Sequence, residues 1–117
     1  MKFKLKNAYL FSWEGLKGWA YNSKDDFSNA SAAYFEVTGK HGMVKNTLSD
    51  RIYLIVDGKG EFIIRNEVIP VEKTDVIIVP KDTPYDYQAK GGVLKLFLVH
   101  TPAFDSTKDI KLKPNKF

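Results

Sequence analysis

Short runs of apolar and β-branched residues, broken by glycine, proline or asparagine, dominate this chain, and no long stretch carries the repeat of an amphipathic helix. The pattern predicts strands over residues 4–12, 18–22, 32–38, 52–57, 60–65, 67–71, 75–79, 85–89 and 93–101. Asp57-Gly58-Lys59-Gly60 joins two strongly apolar runs, and its glycines can take the positive φ of a tight hairpin loop. Asn66 can do the same between Ile64 and Val68, giving a second hairpin of one continuous meander. Many short antiparallel strands read as an all-β jelly roll or barrel, whose closure hides strand edges.

Period-two alternation places Arg51, Tyr53 and Ile55 on one face of their strand and Ile52, Leu54 and Val56 on the other. The polar segment 23–31 reads as a surface loop. The segment from Ala103 to Phe117 reads as a loosely attached strand or frayed end. Trp13 and Trp19 offer large apolar areas, either for the core and barrel lid or for a homodimer interface through the N-terminal strands.

At 117 residues the chain is expected to form one domain, with N-terminal strands and a loop over 1–30, a barrel core over 34–102 and a tail over 103–117. The absence of cysteine excludes disulfides and thiolate metal sites. The net charge of +4 comes almost wholly from dispersed lysines, with Arg51 and Arg65 the only guanidinium groups, so no nucleic-acid partner is expected. No apolar run reaches signal-peptide or membrane-span length, so the expectation is a cytoplasmic protein with no membrane partner.

Two stretches carry further information. Gly39 is followed after five residues by Lys45-Asn46-Thr47, then after three by Arg51 and after six by Gly58. Downstream, Thr74, Pro80, Asp82, Tyr85 and Ala89 keep a second set of intervals. The spacing resembles the two motifs of the cupin superfamily, small RmlC-like double-stranded β-helices, over residues 34–102. In such a barrel two histidines and a glutamate stand where Lys45, Thr47 and Arg51 stand here, and a third histidine stands at Tyr85.

What the resemblance implies is therefore a cupin barrel with unsuitable side chains at its metal-ligand positions. An ammonium, a guanidinium and a phenol do not coordinate a divalent cation, so neither metal nor cofactor is expected. The resemblance points Arg51 and Tyr53 inward, with Lys45 and Thr47 approaching from the preceding strand and Tyr85 and Tyr87 from the strand after Pro80. Lys45, Thr47, Arg51, Tyr53 and Tyr85 are then the candidate binding residues for a small polar or anionic molecule, a sugar derivative among them. The alternative is structural: Arg51 pairs with an internal acid, Glu36 or Asp50, and no ligand is involved.

Two further functions stay open. Some metal-free cupins are sugar isomerases or epimerases that use a histidine base and a tyrosine acid. Tyr53, Tyr85 and Tyr87 supply acids here, but the base would have to be His41, His100 or Glu36, none at a motif position. The other is a protein-interaction or sensory module built on the tryptophan-rich edge. No nucleophile elbow or phosphate-binding loop is present.

Overall fold

The computed structural model describes residues 1–113. A 3-10 turn at Leu5–Asn7 precedes eleven strands. These are β1 (Tyr9–Trp13), β2 (Leu16–Ala20), β3 (Ser31–Val37), β4 (Val44–Asn46), β5 (Asp50–Asp57), β6 (Lys59–Ile64), β7 (Glu67–Glu72), β8 (Val76–Val79), β9 (Tyr85–Ala89), β10 (Leu94–Thr101) and β11 (Asp109–Lys111). They form a six-stranded sheet, β1-β2-β3-β10-β5-β8, and a five-stranded sheet, β11-β4-β9-β6-β7, with every pairing antiparallel. The core lies between the two sheets and includes Val37, Tyr53, Ile55, Phe62, Tyr85, Tyr87 and Leu96. Among the described residues no helix is long and apolar enough to cross a membrane.

The alternation read from β5 holds: Arg51, Tyr53 and Ile55 are buried, whereas Ile52, Leu54 and Val56 are exposed. Elsewhere the expected elements need correction. Residues 4–8 are not the start of β1, because the alternating lysines there lie out in solvent and have no strand to pair with. The Gly58 junction has the expected positive φ of 83° but is not a hairpin. It is a corner at which the chain leaves one sheet, in β5, and enters the other, in β6.

Gly60 is required for a different reason: a Cβ there would stand 2.5 Å from the Gln88 carbonyl oxygen and 2.7 Å from the Leu94 side chain. The β6–β7 link is the hairpin foreseen, with Asn66 at φ 67° and Arg65 beside it at φ 49°, so both central residues are left-handed.

The C-terminal segment, as far as it is described, is not loose. Ala103 is buried, Asp105 caps a 3-10 turn at Ser106–Lys108 by accepting from the Thr107 amide, and β11 pairs with β4. Both β4 and β11 are three residues long, too short to register as alternating runs. The rest of the expected tail, residues 114–117, lies outside the described residues.

The corner at Gly58 generates a prediction. A Cβ there would sit 2.2 Å from the Val93 carbonyl oxygen, in addition to the cost of positive φ. Gly91→Ala, with φ 67° but open space around the site, incurs the backbone cost alone. Urea denaturation should show Gly58→Ala destabilised by about 3 kcal/mol and Gly91→Ala by only about 1 kcal/mol.

Candidate functional site

Strand β5 delivers Arg51 and Tyr53 to the interior, and β9 delivers Tyr85 and Tyr87 from the opposite sheet; all four are buried. The Tyr53 and Tyr85 hydroxyls lie 2.5 Å apart and share a hydrogen bond. The Arg51 guanidinium lies over the Tyr85 ring at 5.2 Å. Three of the expected site residues thus meet: Arg51, Tyr53 and Tyr85.

Lys45 and Thr47 do not join them. The inward residues of β4 are Val44 and Asn46, so Lys45 occupies the opposite face, while Thr47 is exposed and donates through Oγ1 to the Lys108 carbonyl at 3.3 Å. Their expected approach to the interior is corrected by one residue of strand phase, which in a strand reverses every side chain.

Arg51 has a partner, but neither of those expected. Nη2 donates to Asp109 Oδ1 at 2.7 Å, and Nε donates to His100 Nε2 at 2.9 Å. Asn46 Nδ2 donates to the same Asp109 oxygen at 2.8 Å. Glu36 instead accepts from the Tyr34 hydroxyl, and Asp50 from the Lys81 amide. Burial works against the Arg51 charge, but the facing phenols of Tyr85 and Tyr53 and the Asp109 carboxylate outweigh it, so the guanidinium pKa is raised. Because Nε already donates, His100 Nε2 must hold a lone pair. Burial, followed by repulsion from Arg51, lowers the His100 pKa to about 3.

His41 enters from the β3–β4 connection. The chain there pairs briefly with β9: the His41 amide donates to the Tyr87 carbonyl at 2.9 Å, and the Ala89 amide donates to the Gly39 carbonyl at 3.0 Å. Asp86 fixes the next residue, since its Oδ1 accepts from the Gly42 amide at 2.8 Å and from its neighbour Tyr87's amide at 2.7 Å. The imidazole stacks on Tyr87, ring centroids 4.7 Å apart, and Tyr87 in turn stacks on Phe62 at the same separation. Trp13 meets the imidazole edge-on at 5.7 Å.

His41 Nδ1 lies 2.9 Å from the Gly42 carbonyl, which can only accept, so Nδ1 carries the proton and Nε2 holds the lone pair. Nε2 has no hydrogen-bond partner among the described residues. Packing around the ring, with repulsion from Arg51 second, lowers the pKa to about 4, although the residue as a whole is only partly buried. Beneath it the Tyr87 hydroxyl is buried; it makes no well-formed hydrogen bond among the described residues, but the Tyr53 hydroxyl lies close enough to act on it as a loose hydrogen-bonding neighbour. Burial raises the pKa of Tyr53, Tyr85 and Tyr87 well above the ordinary phenol value, so each remains a donor.

The arrangement has the groups that acid–base chemistry requires. A neutral imidazole with a free lone pair stands over phenols that hold their protons. It does not suit a divalent metal: a paired, permanently charged guanidinium fills the glutamate position, and among the described residues no three His, Cys, Asp or Glu side chains converge as ligands. Sequence reasoning missed Asp109 and Asn46 because they lie on the two shortest strands. His41 is one of the three off-motif candidate bases that the sequence offers, beside His100 and Glu36, and the structure brings it onto the tyrosine cluster.

The two sheets enclose these inward-facing residues as a jelly roll, and comparison with solved structures shows that the chain has the cupin fold. Pac13, described as a unique nucleoside dehydratase, superposes with a TM-score of 0.86 at 24% identity, over 97% of this chain and 91% of that one. A Streptomyces Pac13 variant with uridine gives 0.85 at 24% identity, over 96% and 90%. Oxalate decarboxylase from Bacillus subtilis gives 0.84 at 14% identity, over 94% of this chain but 31% of that one. In sequence, an uncharacterised protein of Methanocaldococcus jannaschii is 33% identical over 73 residues, which is 62% of this chain and 58% of that relative's length. No family model matches.

Two outcomes are expected from the buried polar groups. Removing the Asp109 carboxylate in Asp109→Ala leaves a buried guanidinium short of its counter-charge, and chemical denaturation should register a loss of about 3 kcal/mol. The histidines set the acid limit. Their folded pKa values, about 4 and about 3, lie below the ordinary 6.5, so the unfolded chain binds more protons between those values. Stability is complete above pH 6.5 and is lost as pH falls toward 4 and then 3. Denaturation midpoints across that range should fall accordingly, and His100→Asn, which keeps an acceptor for Arg51, should flatten the decline.

Proposed function

We propose that this chain is a metal-independent acid–base enzyme that removes water from the sugar of a nucleoside-like substrate. The observation that carries the reading is the His41–Tyr87 pair, a neutral imidazole with Nε2 free, stacked on a buried phenol whose hydroxyl makes no well-formed hydrogen bond and has only a loose neighbour in Tyr53. His41 Nε2 takes a proton from a carbon beside a carbonyl, the carbon–carbon double bond forms, and the neighbouring carbon–oxygen bond breaks. The departing hydroxyl takes a tyrosine proton and leaves as water, and the imidazolium proton returns to the phenolate.

A base with a pKa near 4 is weak, which restricts it to carbon acids activated by a carbonyl. The 45% exposed Trp13, beside His41, provides the face on which a planar base can stack. Similarity to Pac13 supports the reading. The uridine-bearing variants of that enzyme alter one histidine and two tyrosines, and the interval between the two tyrosines is the one that separates Tyr53 from Tyr87 here.

The broader reading, a barrel that binds a small polar molecule, is contained in this one, with the emphasis moved from Arg51 to His41. Arg51 already donates to His100 and Asp109 and acts on the site through its field.

The test is ligand-observed NMR with uridine, other nucleosides and free sugars, followed by solvent-deuterium incorporation into a uridine derivative oxidised to a carbonyl on its sugar. Uridine-type ligands should bind, and Trp13→Ala should weaken them. Deuterium incorporation should fall about 100-fold or more in His41→Gln and in Tyr87→Phe. The acid limb of the rate should lie near pH 4, because the free imidazole is lost as pH falls through that value. Binding without exchange would reduce the protein to a receptor, and no nucleoside binding would overturn the proposal.

A further inference from the structure

One extra residue brings His41 into the interior. Val44 lies opposite Tyr85 and Lys40 opposite Gln88, so residues 41–43 stand across from residues 86 and 87, three against two. An extra residue in one strand of an antiparallel pair is a β-bulge, which re-aims the side chains beyond it. Counted from the Val44–Tyr85 pair without the bulge, His41 would fall opposite Gln88 and share its outward face, because directly opposed residues point the same way. With the bulge it falls opposite Tyr87, on whose ring it stacks, and the exposed Lys40 takes the outward place.

We infer that Asp86 is the positioning residue for the base, its carboxylate fixing the bulge at Gly42 and thereby both the inward phase and the tautomer of His41. The catalytic meaning of this clamp rests on the reading of His41 as the base, whereas the clamp itself does not.

The hydrogen bonds run from Asp86 to His41 through one residue. The His41 amide keeps a ladder bond to the Tyr87 carbonyl at 2.9 Å, but the Gly42 amide leaves the ladder and donates to Asp86 Oδ1 at 2.8 Å. The carbonyl of the same Gly42 accepts the Nδ1 proton of His41 at 2.9 Å. Fixing Gly42 therefore fixes which imidazole nitrogen keeps its lone pair.

Asp86 itself is placed at a cost. It lies between Tyr85 and Tyr87 on the opposite face of β9, yet it is only 2% exposed, and a carboxylate is buried favourably only where hydrogen bonds compensate. Its compensation is the bulge amide together with the Tyr87 amide, which donates to the same oxygen at 2.7 Å. One carboxylate oxygen thus ties the loop that carries the imidazole to the residue on which the imidazole stacks.

Long-range ¹H–¹⁵N correlation of the imidazoles at neutral pH tests the clamp without any substrate, and the chain has only two histidines to distinguish. The parent His41 should carry its proton on Nδ1. Asp86→Asn keeps an oxygen able to accept both amides and should preserve that tautomer and the rate of deuterium incorporation. Asp86→Ala should mix the two tautomers and lower kcat for incorporation about 10- to 100-fold while leaving KM nearly unchanged. Should circular dichroism show that Asp86→Ala does not fold, Gly42→Ala decides with the same expected changes, since a Cβ there meets no atom within 4 Å and only the φ of 107° opposes it. A folded Asp86→Ala, or failing that a Gly42→Ala, in which His41 keeps the Nδ1 proton overturns the assignment. A lost tautomer in a protein whose parent shows no exchange upholds the clamp and overturns only the reaction proposed for His41.

Discussion

Burying one guanidinium constrains more of this fold than any other single interaction. Arg51 rises from β5 in the larger sheet and finds its carboxylate, Asp109, on β11 at the edge of the smaller one, while Asn46 of β4 donates to the same oxygen. One charge therefore ties the sheets together and fixes the C-terminal segment against β4. An ion pair of this kind is not by itself evidence of stability, since desolvation offsets much of its attraction. Its contribution lies in specifying a unique arrangement: with Asp109 absent, Arg51 would be a buried charge without its carboxylate, so the β4–β11 pairing and the barrel interior are settled together.

The same charge acts on the protonation of its neighbours. Its field opposes protonation of His100 and His41, adding to the effect of burial, and a neutral His41 held by the Gly42 carbonyl presents its lone pair on Nε2. The neighbouring phenols keep their protons because burial penalises the phenolate. Leaving the buried Tyr87 hydroxyl with only the loose approach of Tyr53 costs up to about 1–3 kcal/mol. Stacking between His41 and Phe62 holds the ring in place despite that cost.

Much of this was legible in the chain. Strand β5 showed its two faces through period-two alternation, and the turn at Asn66 showed itself through a residue that tolerates left-handed backbone. Two things were hidden for physical reasons. Strand β4 is three residues long, so alternation could not fix its phase, and Lys45 and Thr47 were placed on the wrong face. Asp109 is far from Arg51 in sequence and sits in a segment whose lysines read as solvated tail. Spacing cannot reveal a contact closed only by the final strand. Gly58 shows a third limit: positive φ marks a reversal of the chain but does not distinguish a hairpin from a corner between sheets.

Hydropathy alone would have turned β5 inside out. Ile52, Leu54 and Val56 form its apolar set, whereas Arg51 and Tyr53 occupy the face that meets the core. A one-residue change of phase would bury the aliphatic set and expose the arginine, so something must make the observed phase the better one. Inside, the guanidinium gains Asp109, His100 and the Tyr85 ring; outside, it would gain only water. The aliphatic face left exposed is a loss that the interior contacts must offset in an isolated chain. The polar interior and the apolar exterior of β5 are thus two results of a single choice of strand phase.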